Sequence, residues 1–306
     1  MAERLIDLVV AELAEPVDPR VAAMAAAIAA RYPGAARAVL FYGSCLRERQ
    51  LDGLMLDFYL IVSDYRAAYG RGWLAFANRA IPPNVFPFAH DGLSAKYAVL
   101  SEADFARECG MDARSTSVWA RFAQPSRLVW AADDAARDAV VAAVAEAPVT
   151  LFQRTLPVMG EPPAGIAGIW KQGFRLTYGA ELRAERAARP ESIIEADAGR
   201  YERFGRATLA AIAGRMGAGP DGEVPLAASP KEMARWWRRM RRKGKALTLL
   251  RLAKATTTFA GGIDYLAWKI NRHAGTKIEL RPWQRRHPIV AGLILLPRLL
   301  RRGAVR

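Results

Sequence analysis

Apolar residues follow two different patterns along the chain. Up to about residue 130, short continuous apolar runs at 39–44, 55–62, 95–100 and 127–130 are bounded by Gly, Pro or charged residues, and each fits one β-strand. Between and before these runs, residues 1–32 and 67–80 carry apolar side chains at helical spacing. Strands that alternate with helices predict an α/β domain with a mixed sheet.

The pattern becomes helical beyond this region. Residues 166–187 repeat apolar and aromatic side chains on one helical face, and a Gly- and Pro-rich stretch before position 230 is typical of a linker. We therefore expect an α/β (α+β) chain of four segments. These are a mixed-sheet domain at 1–135, a helical domain at 136–215, a linker at 216–230 and a basic amphipathic helical tail at 231–306.

The net charge of +15 is concentrated in the tail. Residues 231–306 hold 20 Lys or Arg and three acidic residues, and apolar or aromatic residues recur among them at helical spacing. This pattern is typical of a helix that lies on an anionic membrane surface. Nucleic acid is the alternative partner, but long stripes of Leu, Ile, Met and Val favour the membrane. The candidate membrane-binding residues are Trp236, Trp237, Arg238, Arg239, Arg241, Arg242, Arg301 and Arg302.

Composition excludes several classes of protein. With 306 residues, of which 52% are apolar, the chain is long enough to bury a large core. Its two cysteines, Cys45 and Cys109, are too few for a disulfide framework and lack zinc-ligand spacing. The acidic N-terminus is untypical of a targeting peptide, and no apolar run has the length of a membrane-spanning helix. We expect a cytoplasmic protein that associates peripherally with the inner leaflet of the cytoplasmic membrane.

A Gly-Ser turn followed by a carboxylate in the next strand is the most specific chemical signal. Gly43 and Ser44 end the first apolar run, and Asp57 lies inside the second. An ionised carboxylate in a buried strand needs a positive neighbour, usually a metal ion. Glycine permits a close backbone approach, and the serine hydroxyl with nearby amides can hold a phosphate. The pattern favours a site for a nucleoside triphosphate and Mg²⁺ over a plain turn and a loop-capping aspartate.

Four sequence blocks occur in a specific order. They are Phe-Tyr-Gly-Ser at 41–44, Met-Leu-Asp-Phe leading to Val-Ser-Asp at 55–64, Lys-Tyr-Ala-Val-Leu-Ser at 96–101, and Gly-Phe-Arg at 173–175 with Gly179 and Glu181. Over about residues 38–205 the chain resembles the mitochondrial-type phosphatidate cytidylyltransferases, also called translocator-assembly-and-maintenance CDP-diacylglycerol synthases. The resemblance implies a nucleotidyltransferase fold, a winged-helix-like or helical domain, and a C-terminal element that engages the membrane.

The resemblance also implies a reaction and a set of site residues. CTP and phosphatidic acid would give CDP-diacylglycerol and pyrophosphate, with Mg²⁺ as the cofactor. The candidate catalytic residues are Asp57, Asp64 and Lys96, and the candidate nucleotide-binding residues are Tyr42, Gly43, Ser44, Arg121 and Arg127. Asp57 would hold the metal together with Asp64 or Asp52.

Some positions leave alternatives open. Tyr59 stands where nucleotidyltransferases usually carry a second carboxylate, so the second metal ligand is either Asp64 or Asp52. Arg175 and Glu181 either line a cleft between domains or are plain exposed charges. Two other functions are open as well: a non-catalytic membrane- or nucleic-acid-binding protein on a degenerate transferase fold, and a nucleotidyltransferase with an RNA or protein acceptor.

Overall fold

The computed structural model describes residues 3–48, 51–70, 72–160, 165–181, 189–217, 225–258 and 281–282. Helices and strands account for most of them. In chain order they are α1 (Leu5–Leu13), α2 (Pro19–Ala30), β1 (Ala36–Tyr42), α3 (Ser44–Glu48), β2 (Met55–Val62), α4 (Tyr65–Tyr69), α5 (Gly72–Ala80), β3 (Asn84–His90), β4 (Leu93–Ser101), α6 (Glu102–Cys109), α7 (Trp119–Phe122), β5 (Ser126–Ala131), α8 (Asp134–Thr155), a 3-10 turn (Leu156–Val158), α9 (Gly165–Ala180), α10 (Arg189–Glu195), α11 (Ala198–Met216) and α12 (Pro230–Thr258).

The strands form one mixed sheet in the order β3-β4-β2-β1-β5. β2 and β4 run parallel, and the other neighbours are antiparallel. The expectation of a mixed α/β architecture is therefore confirmed, and the four predicted runs correspond to β1, β2, β4 and β5. The sequence pattern missed β3, because Pro87 interrupts its alternation. Proline is tolerated there because β3 is an edge strand, where one side of the backbone needs no ladder partner.

Helices cover both faces of the sheet. The face that carries Leu40, Tyr59 and Ala98, here called the front face, shares one buried cluster with residues of α1, α6, α7, α8, α9, α11 and α12. Phe58 and Val99 point to the back face, where they pack with residues of α2, α4 and α5. Side chains alternate across a strand, so each strand contributes to both clusters. The helices that follow the sheet in sequence thus pack in the same core as its front face.

The first part of the basic tail is built into this core. On α12, Met233, Trp237 and Met240 are buried, and the helix contacts α9, the 3-10 turn and β3. Gly244 permits the close approach of α12 to α9, because a Cβ atom at this position would lie 2.1 Å from the carbonyl oxygen of Ala180. Within the described residues, no helix combines the length and the apolar character that crossing a bilayer requires.

Candidate functional site

The structure brings Asp57 next to the glycine–serine bend. In the antiparallel pairing of β1 and β2, Asp57 is opposite Tyr42, the residue before Gly43. Gly43 has a φ of +99°, and a Cβ atom there would lie 3.2 Å from Asp57 Oδ2. Any other residue at this position would strain the backbone and crowd the carboxylate, which explains the glycine.

The positive neighbour of Asp57 is Lys96. The parallel pairing of β2 and β4 puts the two residues in register, and Lys96 Nζ lies 2.8 Å from Asp57 Oδ1. Their side chains are 26% and 22% exposed, so the pair is largely shielded from water. Lys96 therefore supplies the positive charge that a carboxylate in a strand requires. The sequence predicted a metal ion in this role.

A cavity of about 170 Å³ lies on the front face of the sheet and includes Lys96 in its wall. Four strands, the segments before β3 and before α7, α7 itself and α12 contribute to it. Its lining residues are Tyr42, Phe58, Tyr59, Pro83, Val85, Lys96, Ala98, Ser117, Arg121, Arg251 and Lys254. Four of these are Lys or Arg and none is acidic, so the cavity is suited to an anion.

Arg121 forms one charged wall of the cavity together with Glu181. Their side chains approach to 3.8 Å, Arg121 also donates to the carbonyl of Ser117, and the Ser117 hydroxyl donates to Glu181. Burial acts to lower the pKa of Arg121, but Glu181 and then Tyr59 and Tyr42 raise it, and the net pKa is above its ordinary value. Arg121 therefore keeps its positive charge although it is partly buried.

Arg251 and Lys254 enter the cavity from α12. Arg251 Nε donates to the carbonyl of Pro82 at 2.7 Å, and Nη1 donates to Ser117 Oγ at 2.7 Å. Lys254 Nζ donates to the carbonyl of Pro83 at 2.9 Å. Burial, and then repulsion from Arg251, lowers the pKa of Lys254 to about 7, and burial also lowers the pKa of Arg251. Both shifts reflect the cost of positive charge in a shielded site, which a bound anion would reduce.

The other predicted metal ligands lie apart from Asp57. Asp64 follows the end of β2, seven residues beyond Asp57, so at about 3.3 Å per residue the two are roughly 20 Å apart. Its side chain caps the N-terminus of α4 instead. Asp52 is 78% exposed and pairs with Arg20 at 3.0 Å. Among the described residues, no group of three or more His, Cys, Asp or Glu is arranged to hold a metal ion.

Three predicted nucleotide-binding residues, Gly43, Ser44 and Arg127, lie outside the cavity wall. Arg127 on β5 forms an ion pair with Glu15, so its guanidinium is directed to the segment after α1. Ser44 is the first residue of α3 and follows the bend directly. Of the predicted set, Tyr42 and Arg121 line the cavity, and Gly43 contacts Asp57.

The predicted membrane-binding residues divide into two groups. Trp237 is 2% exposed, packs against Trp119 and donates its indole N–H to the carbonyl of Arg154 at 2.7 Å. Trp236 stacks on the Arg154 guanidinium, which is 4.3 Å from the ring centre. Trp237 is therefore corrected to a core residue, because its side chain is buried in protein, whereas Trp236 is partly exposed and stays a candidate for the membrane surface. Arg238, Arg239, Arg241 and Arg242 are exposed, and Arg301 and Arg302 lie outside the described residues.

Sequence reasoning missed Ser117, Arg251 and Lys254. The available signal is helical spacing: Arg251 falls 18, 14 and 11 positions after Met233, Trp237 and Met240, which places all four on one face of α12. A basic residue on a buried helical face needs an anionic or polar partner. The sequence left the roles of Glu181 and Arg175 open. Glu181 contacts Arg121, whereas Arg175 pairs with Glu191 at the surface.

Comparison with protein-family models and with curated proteins finds no match to this chain.

Proposed function

We propose that this protein is a phosphatidate cytidylyltransferase, which joins CTP to phosphatidic acid and releases pyrophosphate. One observation carries the proposal. Lys96, Arg121, Arg251 and Lys254 converge on one cavity beside Asp57 and the glycine–serine bend, within the sequence blocks that resemble this family. Reactions between phosphate groups require such a concentration of positive charge, because the substrates and the leaving group are all anions.

The proposed chemistry is a single displacement at phosphorus. A phosphate oxygen of phosphatidic acid attacks the α-phosphorus of CTP, a new P–O bond forms, and the bond from the α-phosphorus to the bridging oxygen breaks as pyrophosphate leaves. The protein has to align the two substrates and stabilise the charge on the leaving group. Lys96 and Arg121 are two of the cavity residues that supply this charge, and Asp57 positions Lys96 through their ion pair.

The described residues do not fit the predicted Mg²⁺ site. Asp57 is the only one of the three expected carboxylates at the bend, and it pairs with Lys96. Asp64 and Asp52 are held elsewhere by the α4 cap and by Arg20. We therefore assign charge neutralisation to the four cationic side chains and derive no step through a metal ion.

An activity assay tests this proposal. Purified protein, CTP and phosphatidic acid in detergent, with and without added Mg²⁺, should release pyrophosphate. Arg121→Met removes one charged donor from the cavity, and we expect the rate to fall about 10²- to 10³-fold, as for loss of one donor to a charged transition state. Asp57→Asn should also lower the rate, because it releases Lys96.

Arg137→Met is the matched control for this assay. It removes an exposed arginine of α8 outside the cavity wall and should leave the rate unchanged. Pyrophosphate release by the wild type no faster than by Asp57→Asn would refute the proposed reaction.

The exposed arginines of α12 support a peripheral position at the membrane. Arg238, Arg239, Arg241 and Arg242, here called the basic face, are exposed on a helix whose aromatic side is buried. Attraction to anionic headgroups contributes about 1 kcal/mol for each Lys or Arg near the surface. The helix would thus bind a membrane through charge rather than through inserted tryptophans.

Liposome flotation tests the basic face. We expect the variant Arg238→Gln, Arg239→Gln, Arg241→Gln, Arg242→Gln to bind vesicles of phosphatidylglycerol and phosphatidylcholine up to about 10³-fold more weakly at low salt, since four charges are lost. The control removes four exposed arginines elsewhere, Arg66, Arg79, Arg114 and Arg137, so both proteins have the same net charge. Equal loss in the two variants would mean that net charge, and not the basic face, governs vesicle binding.

A non-catalytic anion-binding protein is the second candidate. The Asp57–Lys96 pair and Tyr59 favour it, because together they leave a single carboxylate at the bend, which is already engaged. It predicts that CTP raises the melting temperature by mass action although no pyrophosphate is formed. Stabilisation together with turnover excludes this candidate.

A further inference from the structure

A groove lies beside the first half of α12. Its volume is about 460 Å³, and it is bounded by α12, by α9 and by the 3-10 turn. α12 and α9 meet closely at Gly244 and Ala180, and the groove lies before this contact along α12. Among the described residues, the groove and the cavity on the front face have no lining residue in common. It is therefore a second concave site of the protein, and grooves between packed helices are common places for binding.

The part of the groove that α12 contributes is basic. Its charged side chains are Lys231, Arg235, Arg238 and Arg241. All four are exposed, and within the described part of the chain none of them forms an ion pair. Glu232 on the same helix does not line the groove, and it accepts a hydrogen bond from Ser229 at the helix start. The described wall thus carries four positive charges and no negative one.

The spacing of these four charges fits a helical partner. They follow one another at intervals of four, three and three residues, so they form one strip along α12. At 1.5 Å per residue this strip is about 15 Å long. A second helix that lies along the groove presents one of its faces at the same intervals. Acidic residues on that face therefore meet the basic strip over about three turns.

The part of the groove that the other elements contribute is apolar. Among the described residues, Val158 of the 3-10 turn and Leu176 of α9 line the groove from outside α12. Both are partly buried and pack against the core of the front face. An occupant therefore meets positive charge on one element and hydrocarbon on the others. An amphipathic helix offers both, whereas nucleic acid has no aliphatic face and a bilayer presents a broad surface.

We propose that this groove binds an amphipathic helix of a partner protein, with acidic residues on one side and large aliphatic residues on the other. The acidic residues pair with the basic strip of α12, and the aliphatic residues cover Leu176 and Val158. The groove is separate from the cavity, so the inference does not depend on the proposed reaction.

Fluorescence anisotropy of a labelled synthetic peptide with the full chain tests the proposal. The probe is a peptide of about 18 residues, or about five helical turns, with Glu on one face and Leu on the adjacent face. A scrambled peptide of the same composition keeps the charge and loses the two faces. At physiological ionic strength, where screening weakens attraction by charge alone, we expect the patterned peptide to bind at least about tenfold more tightly. Equal affinity of the two peptides would refute the proposal.

Charge reversal tests the basic strip. Lys231→Glu with Arg235→Glu changes two exposed residues that lie outside the basic face, and we expect the affinity for the patterned peptide to fall at least about 100-fold. The matched control is Arg239→Glu with Lys243→Glu, because it makes the same charge change at exposed positions of α12 outside the groove wall. A peptide with Lys in place of Glu should prefer the groove variant to the wild type. Equal losses in the groove variant and the control would mean that net charge alone governs binding, and would overturn the site.

Leu176→Gln tests the apolar side of the groove. We expect it to weaken binding of the patterned peptide about tenfold, since apolar area that the peptide covers is lost. Leu250→Gln is the control, because Leu250 is an exposed leucine of α12 outside the groove wall. Melting temperatures are measured for both variants, because Leu176 also packs against the core. A lower melting temperature in Leu176→Gln with unchanged peptide affinity would make Leu176 structural only and overturn its role.

Three other occupants are distinguished with Lys231→Glu, Arg235→Glu and its control. If the groove variant loses binding to anionic vesicles more than the control does and still binds the peptide, the groove is a membrane contact. If a single-stranded RNA oligonucleotide binds the wild type more tightly than the peptide and the groove variant loses it, the groove is a nucleic-acid site. If the wild type self-associates in sedimentation velocity and the groove variant does not, the occupant is a second copy of the chain. Each of these results overturns the assignment to a partner helix.

Discussion

Gly244→Val is expected to lower the rate of pyrophosphate release strongly although no residue of the cavity is changed. A Cβ atom at position 244 would lie 2.1 Å from the carbonyl oxygen of Ala180, and a backbone atom cannot rotate away. α12 must therefore move off α9. Arg251 lies seven residues further along the helix, about 10 Å, so the displacement carries it away from Ser117. We expect the rate of pyrophosphate release to fall at least about 100-fold, as for loss of one donor to a charged transition state.

The control is Ala246→Val on the same helix. It adds the same kind of β-branched side chain at an exposed position, so it reproduces the small loss of helix propensity without the clash. The pyrophosphate-release assay and circular dichroism of both variants compare activity and helix content. Vesicle binding should persist in Gly244→Val, because the basic face is intact. Pyrophosphate release at the wild-type rate in Gly244→Val would mean that the position of α12 does not govern the site.

Gly244 and Arg251 explain why the cavity was hard to find in the sequence. The stripe of Met233, Trp237 and Met240 correctly identified an amphipathic helix, but spacing alone cannot say whether protein or membrane covers its apolar side. Here Trp119, which is 118 positions earlier in the chain, covers Trp237. What covers the apolar face of a helix depends on the tertiary fold. The spacing of the tail therefore predicts a membrane partner for its whole length.

The neighbour of Asp57 illustrates a similar limit. A carboxylate in an apolar strand indicates a positive partner, and the sequence does not distinguish a metal ion from an ammonium group. The parallel pairing of β2 with β4 places Lys96 beside Asp57, although it is 39 positions later in the chain. The strands themselves were predictable because continuous apolar runs mark buried strands. The edge strand β3 was not, because Pro87 and partial burial disturb its pattern.

The largest loss of stability is expected from Arg200→Met. Arg200 on α11 donates to Glu12 on α1 at 2.5 and 2.9 Å, and to the carbonyl of Ala123 at 3.2 Å. Both side chains of the pair are less than 10% exposed. Removing the guanidinium leaves a buried carboxylate uncompensated, which costs about 3–5 kcal/mol of unfolding free energy. Urea unfolding at pH 7 measures it, and the melting temperature should fall by on the order of 10 °C.

Arg203→Met is the matched control for this loss. Arg203 lies three residues further on α11 and pairs with Glu3 before α1, but these side chains are 60% and 56% exposed. Since an exposed ion pair contributes less than about 1 kcal/mol, the free energy of unfolding of this variant should be close to that of the wild type.

In the double variant Glu12→Leu, Arg200→Met no charge is left buried, so most of the lost unfolding free energy should return. Equal effects of Arg200→Met and Arg203→Met would contradict the argument from burial.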